Sequence, residues 1–313
     1  MPLPSDERLV SLAQELLAQF HAIFGPHPGF RPAHAKGALI KGTFTPSAEA
    51  ALLTSAPHIL RESVPVLARF SDSTGIPQIP DTDPNARPWG MALRFYLAER
   101  VHTDIVSHSV DGFPTHTGDE FLEFLRAIAA TKPESPHPNP VEAFVGSHPA
   151  ALAFVQALKP FPASFANETF FAVTAYRFTN KDGVSRYGRY RILPVAGSKY
   201  IDDAEVAGKA PDVLFDELTE HLKSGPIQFR IVVQVAEPGD TVDNATIHWP
   251  EDRDLVELGV VSLTERVPDD AAEQKHLIFD PIPRIDGIEP SDDPLLELRA
   301  ALYLLSGRER RSA

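Results

Sequence analysis

The feature that most limits the fold of this chain is a series of strand-like segments joined by connections rich in Gly, Pro, Asn and Asp. Most of these segments follow one another closely, so they pair most easily as antiparallel neighbours. About eight antiparallel strands remove their exposed edges by closing into a barrel. The sequence therefore predicts an α+β fold, a closed antiparallel β-barrel of about eight strands with inserted and flanking helices. The predicted strands are 38–45, 64–71, 90–97, 103–109, 170–177, 185–195, 227–236 and 254–266.

Helical patterns precede, interrupt and follow the strands. Residues 5–24 place Asp6 and Glu7 in a first helical turn and repeat Leu and Phe at helical spacing. Similar patterns predict inserted helices at 118–130 and 211–223. We interpret 1–313 as one domain, which divides into an N-terminal helix and connector at 1–30, a barrel with inserted helices at 31–290, and a terminal helix at 291–313.

Composition and charge exclude several classes of function. The chain carries 29 basic and 43 acidic residues, a formal net charge of −14, which repels phosphate backbones and argues against a nucleic-acid partner. With no cysteine, the chain has no disulfide, zinc-thiolate site, iron–sulfur cluster or thiol nucleophile. No apolar run reaches the roughly 20 residues that span a bilayer, and the N-terminus does not resemble a signal peptide. We therefore expect a cytoplasmic protein with no membrane partner.

The last predicted helix contains Arg299 and Tyr303, which are four residues apart and share one helix face. A guanidinium beside a phenol favours the ionised phenolate, a hard and electron-rich oxygen ligand for ferric iron. His34 lies at the entrance to the first predicted strand, and Arg69 and Ser71 share a face of the second. Taken alone, each of these side chains also fits a structural role, such as a buried aromatic, a hydrogen-bonded histidine or a surface ion pair.

Several segments, in the same order along the chain, resemble haem catalases. Segment 31–37 (RPAHAKG) resembles the distal-histidine motif of that family, 69–71 (RFS) its next strand, and 85–96 (NARPWGMALRFY) its following loop and strand. The chain lacks the long N-terminal arm and C-terminal extension of full-size catalases, so it resembles the compact branch, the catalase-related peroxidases or mini-catalases. Further matching segments are 103–106 (TDIV), 249–250 (WP), 279–281 (FDP) and 287–291 (GIEPS).

This resemblance implies a cofactor, haem b with ferric iron, and gives each candidate residue a role by position. Tyr303 would be the proximal ligand of the metal, and Arg299 would hold its phenolate ionised. His34 would act as general acid and base on the opposite side of the haem, and Ser71 would orient its ring. The haem propionates would be bound by three arginines, Arg31, Arg69 and Arg310.

The implied activity is a haem peroxidase that reduces hydrogen peroxide or organic hydroperoxides while it oxidises a small organic reductant, with weak catalase activity. Full-size catalases carry a distal Asn that this chain lacks, and His108 or Ser109 would take its place. Two alternatives stay open: an enzyme that rearranges fatty-acid hydroperoxides on the same fold, and a non-catalytic barrel that binds haem or an apolar ligand. Because the interlocking arm of full-size tetramers is absent, we expect a homodimer.

Overall fold

The computed structural model describes residues 3–313, in which there are nine α-helices and twelve β-strands. The helices are α1 (Glu7–Phe24), α2 (Ala50–Leu53), α3 (Gly118–Ala130), α4 (Pro140–Ser147), α5 (Pro149–Gln156), α6 (Asp203–Val206), α7 (Val213–Ser224), α8 (Asp270–His276) and α9 (Pro294–Ser312). The strands are β1 (Gly37–Pro46), β2 (Val64–Ser71), β3 (Gly90–Ala98), β4 (Val101–His108), β5 (Phe161–Pro162), β6 (Phe170–Phe171), β7 (Tyr176–Thr179), β8 (Ser185–Pro194), β9 (Tyr200–Ile201), β10 (Ile227–Val235), β11 (Leu255–Arg266) and β12 (Ile288–Pro290).

Eight of the strands close into a barrel. Their order is β10, β11, β1, β2, β3, β4, β6 and β8, and β8 pairs again with β10 to complete the ring. All of these pairs are antiparallel, while β7 and β12 continue from β8 outside the ring. The barrel is filled by aromatic and branched side chains that alternate inward along the strands, including Phe44, Phe95 and Phe229. The predicted closed eight-stranded barrel is confirmed.

Three helices pack together outside the barrel. Leucines of α1, α3 and α9 form a second apolar cluster separate from the barrel core. A Cβ atom at Gly118 would lie only 2.1 Å from a methyl carbon of Leu298, so the first turn of α3 approaches α9 as closely as the absence of a side chain allows. Among the helices in residues 3–313, none is both long enough and apolar enough to cross a membrane.

Two of the differences from the predicted elements concern the strand expected at 170–177 and a small second sheet. The single strand expected at 170–177 is two strands, β6 and β7, because Val173 and Thr174 leave the ladder and line a cavity instead. The two-stranded sheet of β5 and β9 was not predicted, because two-residue strands are too short to show any alternation. The break at Val173 and Thr174 bears on the candidate site, because both residues line its cavity.

Candidate active site

A cavity of about 260 Å³ lies between one side of the barrel and the helices packed outside it. The barrel supplies Gly90, Ala92 and His108 to its wall, while the facing wall includes Phe20 of α1 and Phe121 of α3. The residues to which the sequence assigned roles at the haem all line this one cavity: Arg31, His34, Arg69, Ser71, Arg299, Tyr303 and Arg310.

His34 sits on the barrel side of the cavity, just before β1. Its backbone adopts a left-handed conformation, with φ of 55°, and its amide donates to the Ser73 carbonyl at 3.0 Å. The ring Nδ1 lies 3.0 Å from Ser71 Oγ, which fixes the ring on β2. Burial, reinforced by the nearby Arg69 guanidinium, lowers the His34 pKa to about 3, so the imidazole is neutral at pH 7.

Gly90 provides the room for the His34 ring. In the strand register, Ser71 of β2 pairs with Gly90 of β3, and Gly90 pairs with His108 of β4. A Cβ atom at Gly90 would lie 2.5 Å from Ser71 Oγ and 2.8 Å from His34 Nδ1. Sequence reasoning did not single out Gly90, although a glycine that opens a strand beside a histidine motif is a usable signal of close approach. The three polar side chains therefore form one group around a glycine.

His108, rather than Ser109, faces the cavity. The Ser109 hydroxyl accepts a hydrogen bond from the Trp89 amide at 3.0 Å and does not line the cavity. The amide of Val110 donates to His108 Nδ1 at 3.3 Å. Because Nδ1 is the acceptor, the proton of the neutral ring is on Nε2. Burial, with a further effect of the Arg299 charge, lowers the His108 pKa to about 4, so this ring also stays neutral.

Arg299 and Tyr303 lie on the helical side of the cavity, one turn apart in α9. Arg299 Nε donates to the Tyr303 hydroxyl oxygen at 3.3 Å, as their spacing predicts. Burial acts to lower the Arg299 pKa, but the Tyr303 and Tyr176 oxygens outweigh it and raise the pKa overall. No other hydrogen bond to the Tyr303 oxygen is formed within residues 3–313.

Three arginines converge at one edge of the cavity. Arg31 and Arg310 both donate to the Leu277 carbonyl, at 3.0 and 2.7 Å, and Arg69 donates to the His34 carbonyl at 2.8 Å. None of them is in an ion pair with a carboxylate of residues 3–313. Burial lowers the pKa of each, to about 9 for Arg69 and to about 10 for Arg310. An anion bound at this edge would relieve the repulsion among these cations.

Comparison with known proteins identifies the family. The family model described as Catalase matches residues 27–313. The chain belongs to the catalase family. It is 35% identical to a catalase-related peroxidase of Mycolicibacterium paratuberculosis, over 91% of this chain and 90% of that protein. It is 33% identical to a catalase-related peroxidase of Synechococcus elongatus, over 95% of this chain and 88% of that protein.

Solved catalase structures share the fold of this catalase-family chain. A crystal structure of a fungal catalase superimposes with a TM-score of 0.81 at 23% identity and covers 95% of this chain. Catalase A of Saccharomyces cerevisiae gives a TM-score of 0.79 at 22% identity and covers 99%. The chain spans 62% and 65% of those two proteins. At these identities the likeness establishes the barrel and its flanking helices.

Membership of the catalase family implies a haem cofactor, and the residues of this cavity fit one. The three arginines without carboxylate partners are suited to two buried propionates, which need cationic donors. The phenol of Tyr303 has an oxygen that only Arg299 engages within the described chain, as a metal-binding phenolate requires. The rest of the wall is mostly apolar, as the faces of a porphyrin require, with Phe20, Phe113, Phe121, Phe171, Val173 and Leu302 among its residues.

Proposed function

We propose that this protein is a haem peroxidase that reduces hydrogen peroxide, or an organic hydroperoxide, and oxidises a small organic reductant. The proposal is supported mainly by two hydrogen-bonded residue pairs that line the same cavity. His34 and Ser71 lie on the barrel wall, and Arg299 and Tyr303 lie on the helical wall. The first pair is suited to moving a proton, and the second to holding an oxidising metal. The proposed cofactor is haem b with ferric iron.

Different cavity residues are proposed to bind the iron and the propionates of that cofactor. Tyr303 is the proposed iron ligand, and Arg299, whose Nε donates to the Tyr303 oxygen, would stabilise a phenolate bound to the metal. Arg31, Arg69 and Arg310 are the proposed propionate ligands. When bound, haem supplies the electrons that cleave the O–O bond of peroxide, and a phenolate ligand favours the oxidised iron.

His34 is the proposed proton carrier. For Nε2 to accept a proton from one peroxide oxygen, Nδ1 must carry the ring hydrogen and donate it to Ser71 Oγ, and the 3.0 Å separation allows this hydrogen bond. The lowered pKa leaves the lone pair free at pH 7. The same low basicity makes the ring release the proton readily to the second oxygen, which leaves as water or an alcohol.

His108 is the proposed second polar group for the peroxide. With its Nδ1 occupied by the Val110 amide, the ring presents an Nε2–H donor. His34 thus offers an acceptor and His108 a donor, which together complement a peroxide that must lose a proton from one oxygen and accept a hydrogen bond at the other. His108 holds this tautomer without ionising at neutral pH, because burial lowers its pKa to about 4.

The two alternatives raised by the sequence are not favoured. The curated relatives at 33–35% identity are named catalase-related peroxidases, which does not favour a rearranging enzyme or a storage barrel. The organic reductant, the homodimer and the cytoplasmic location stay predictions. Sedimentation velocity of the haem-loaded protein would test the homodimer, and a single monomeric species at micromolar concentration would contradict it.

An absorption experiment tests the proposed function. Protein expressed with a supply of haem should show a strong band near 400 nm, and hydrogen peroxide should change the spectrum and be consumed in the presence of a phenolic reductant. His108→Asn should retain this activity, because an amide also donates a hydrogen bond, whereas His108→Leu should lose much of it. Protein that binds no haem, or binds haem without consuming peroxide, would contradict the proposal.

A further inference from the structure

A buried tryptophan lies directly behind the barrel wall of the cavity. Trp89 precedes Gly90, the glycine on which the His34 ring rests, and only 1% of its surface is exposed. Its indole N–H has no hydrogen-bond partner within residues 3–313. The ring packs edge-on against Phe161 at 5.4 Å and Phe165 at 6.2 Å between centroids. Aromatic contact therefore joins Phe161 and Phe165 to Trp89, the sequence neighbour of the cavity residue Gly90.

An exposed tyrosine with its own proton acceptor lies on β9, the strand that pairs with the strand of Phe161. The Tyr200 side chain belongs to a residue that is 41% exposed, and its hydroxyl donates to Glu168 Oε1 at 2.9 Å. Glu168 is only 2% exposed, and burial raises its pKa to about 7. A carboxylate with a raised pKa is a better proton acceptor than an ordinary surface glutamate. A phenol bonded to such a carboxylate is well placed to lose an electron and a proton together.

The tyrosine and the tryptophan are joined by two local connections. Strand β9, which carries Tyr200, pairs with β5, which carries Phe161. Phe165 begins a short 3₁₀ turn, Phe165–Asn167, that Glu168 terminates. Adjacent strands lie about 5 Å apart, so only one strand spacing separates the chain segments that carry Phe161 and Tyr200. Glu168 thus ends the turn that begins at Phe165, and Tyr200 pairs with Pro162, the residue after Phe161.

We propose that the Tyr200–Glu168 pair is a surface oxidation site, supplied through Trp89, at which aromatic reductants too large for the cavity donate electrons. This inference rests on the proposed peroxidase function, which provides the oxidising equivalents. The ligand class is a phenol or similar aromatic donor, in contact with the exposed edge of Tyr200.

The electrons and protons balance in each turnover. One electron leaves Tyr200 through Trp89 for the cavity, and the phenolic proton moves to the Glu168 carboxylate, which leaves a neutral phenoxyl radical. A phenolic donor then gives one hydrogen atom to that oxygen, restores Tyr200 and becomes a radical itself, while Glu168 returns its proton to solvent. Two such one-electron cycles at Tyr200 supply the two electrons that one peroxide molecule takes up. Solvent supplies the two protons.

The different surroundings of the two rings explain their different roles. Trp89 has no acceptor for its indole proton, so an oxidised indole keeps that proton and remains a strong oxidant that passes the charge on. Tyr200 has the Glu168 carboxylate, so its oxidation is completed by proton loss and the radical is held there. Tyr96 offers a matched control, because it is 37% exposed but its hydroxyl makes no hydrogen bond within the described residues.

The decisive experiment uses the haem-loaded full chain and its Tyr200→Phe, Tyr96→Phe, Glu168→Gln and Trp89→Phe variants. After mixing with hydrogen peroxide without a reductant, freeze-quench electron paramagnetic resonance should show a tyrosyl radical in the wild type and in Tyr96→Phe. The signal should be absent in Tyr200→Phe and weaker in Glu168→Gln and Trp89→Phe. A tyrosyl signal in Tyr200→Phe equal to that of the wild type would overturn the proposal.

Steady-state rates separate this site from the cavity. With a phenol attached to a large polymer, which cannot enter the cavity, Tyr200→Phe should lose about tenfold or more of kcat/KM, while a small phenol is affected less. Equal loss with both phenols, or no loss with either, would contradict the inference. If the wild type fails to bind haem or to react with peroxide, the proposed function has failed. If the wild type reacts normally and Tyr200→Phe behaves identically, only the surface site has failed.

Discussion

Two histidines beside the barrel strands, the half-buried His34 and the buried His58, have similar acid–base properties. Burial lowers the pKa of His34 to about 3 and that of His58 to about 4. His34 lines the cavity, with Ser71 Oγ on its Nδ1. His58 is 2% exposed and packs between Phe44 and Phe95, at 6.0 and 5.1 Å between ring centroids, and its Nδ1 has no partner in the described chain.

The comparison of His34 with His58 shows that a lowered pKa does not by itself identify a catalytic histidine. Both imidazoles are neutral because both are removed from water. Only His34 is oriented by a hydroxyl and faces a space that a substrate can enter. His58 is filling in an aromatic core, and its effect is on stability. The distinction lies in the surroundings of the ring nitrogens, and mutations at the two positions separate the effects.

The largest expected effect is the loss of the proposed proton carrier, His34. We predict that His34→Ala binds haem but reacts with hydrogen peroxide about 10²–10⁴-fold more slowly, as stopped-flow absorbance would measure, because no base remains at the distal wall. His58→Phe is the control and should react at the wild-type rate. A His34→Ala variant with normal kinetics, or a His58→Phe variant as slow as His34→Ala, would contradict the proposal that only His34 takes part in the reaction with peroxide.

A second comparison sets an arginine of the cavity, Arg31, against an arginine on the surface, Arg308. Arg31→Leu should weaken haem binding by about tenfold to a hundredfold, because one charge-assisted contact to a propionate is lost. Arg308, exposed on α9, provides the matched control, and Arg308→Leu should bind haem as the wild type does. Titration of the apoprotein with haem measures both, and equal affinities for the two variants would argue against the propionate role of Arg31.

His58 should influence the pH dependence of stability. The unfolded chain binds a proton on this histidine below about pH 6.5, whereas the native state binds it only near pH 4, so stability is lost as the pH falls through this window. Between pH 7 and pH 5 the loss is about 2 kcal/mol. Urea unfolding of the apoprotein should show that the free energy of unfolding decreases less between pH 7 and pH 5 in His58→Phe than in the wild type. A His58→Phe variant that loses as much stability as the wild type between pH 7 and pH 5 would contradict the assignment.

The smallest expected effect concerns the group that orients His34. Ser71→Ala should slow the reaction with hydrogen peroxide by up to about tenfold, since the ring keeps its place over Gly90 but loses the partner of Nδ1. Ser71→Thr should restore most of the rate, because it returns a hydroxyl to the same position. A Ser71→Ala variant with the full wild-type rate would show that ring packing alone positions His34.

Much of this arrangement could be predicted from the sequence because its signals are local. The spacing of Arg299 and Tyr303 fixes their contact on one helix face, and the strand patterns were sufficient to predict a closed barrel. Other features depend on tertiary packing. The choice of His108 over Ser109 depends on how β4 ends against Trp89, and the break at Val173 depends on the cavity itself. Neither the orientation of His108 nor the break at Val173 produces a periodic pattern in the sequence.

The most direct test of the account is the absorption spectrum of the haem-loaded protein with and without the Tyr303 hydroxyl. Tyr303 is the proposed iron ligand and Arg299 its proposed hydrogen-bond donor, so Tyr303→Phe should lose the high-spin ferric spectrum of a phenolate complex. Tyr187→Phe, a change outside the cavity wall, should leave that spectrum intact. A Tyr303→Phe spectrum identical to that of the wild type would contradict the central claim that this phenol holds the iron.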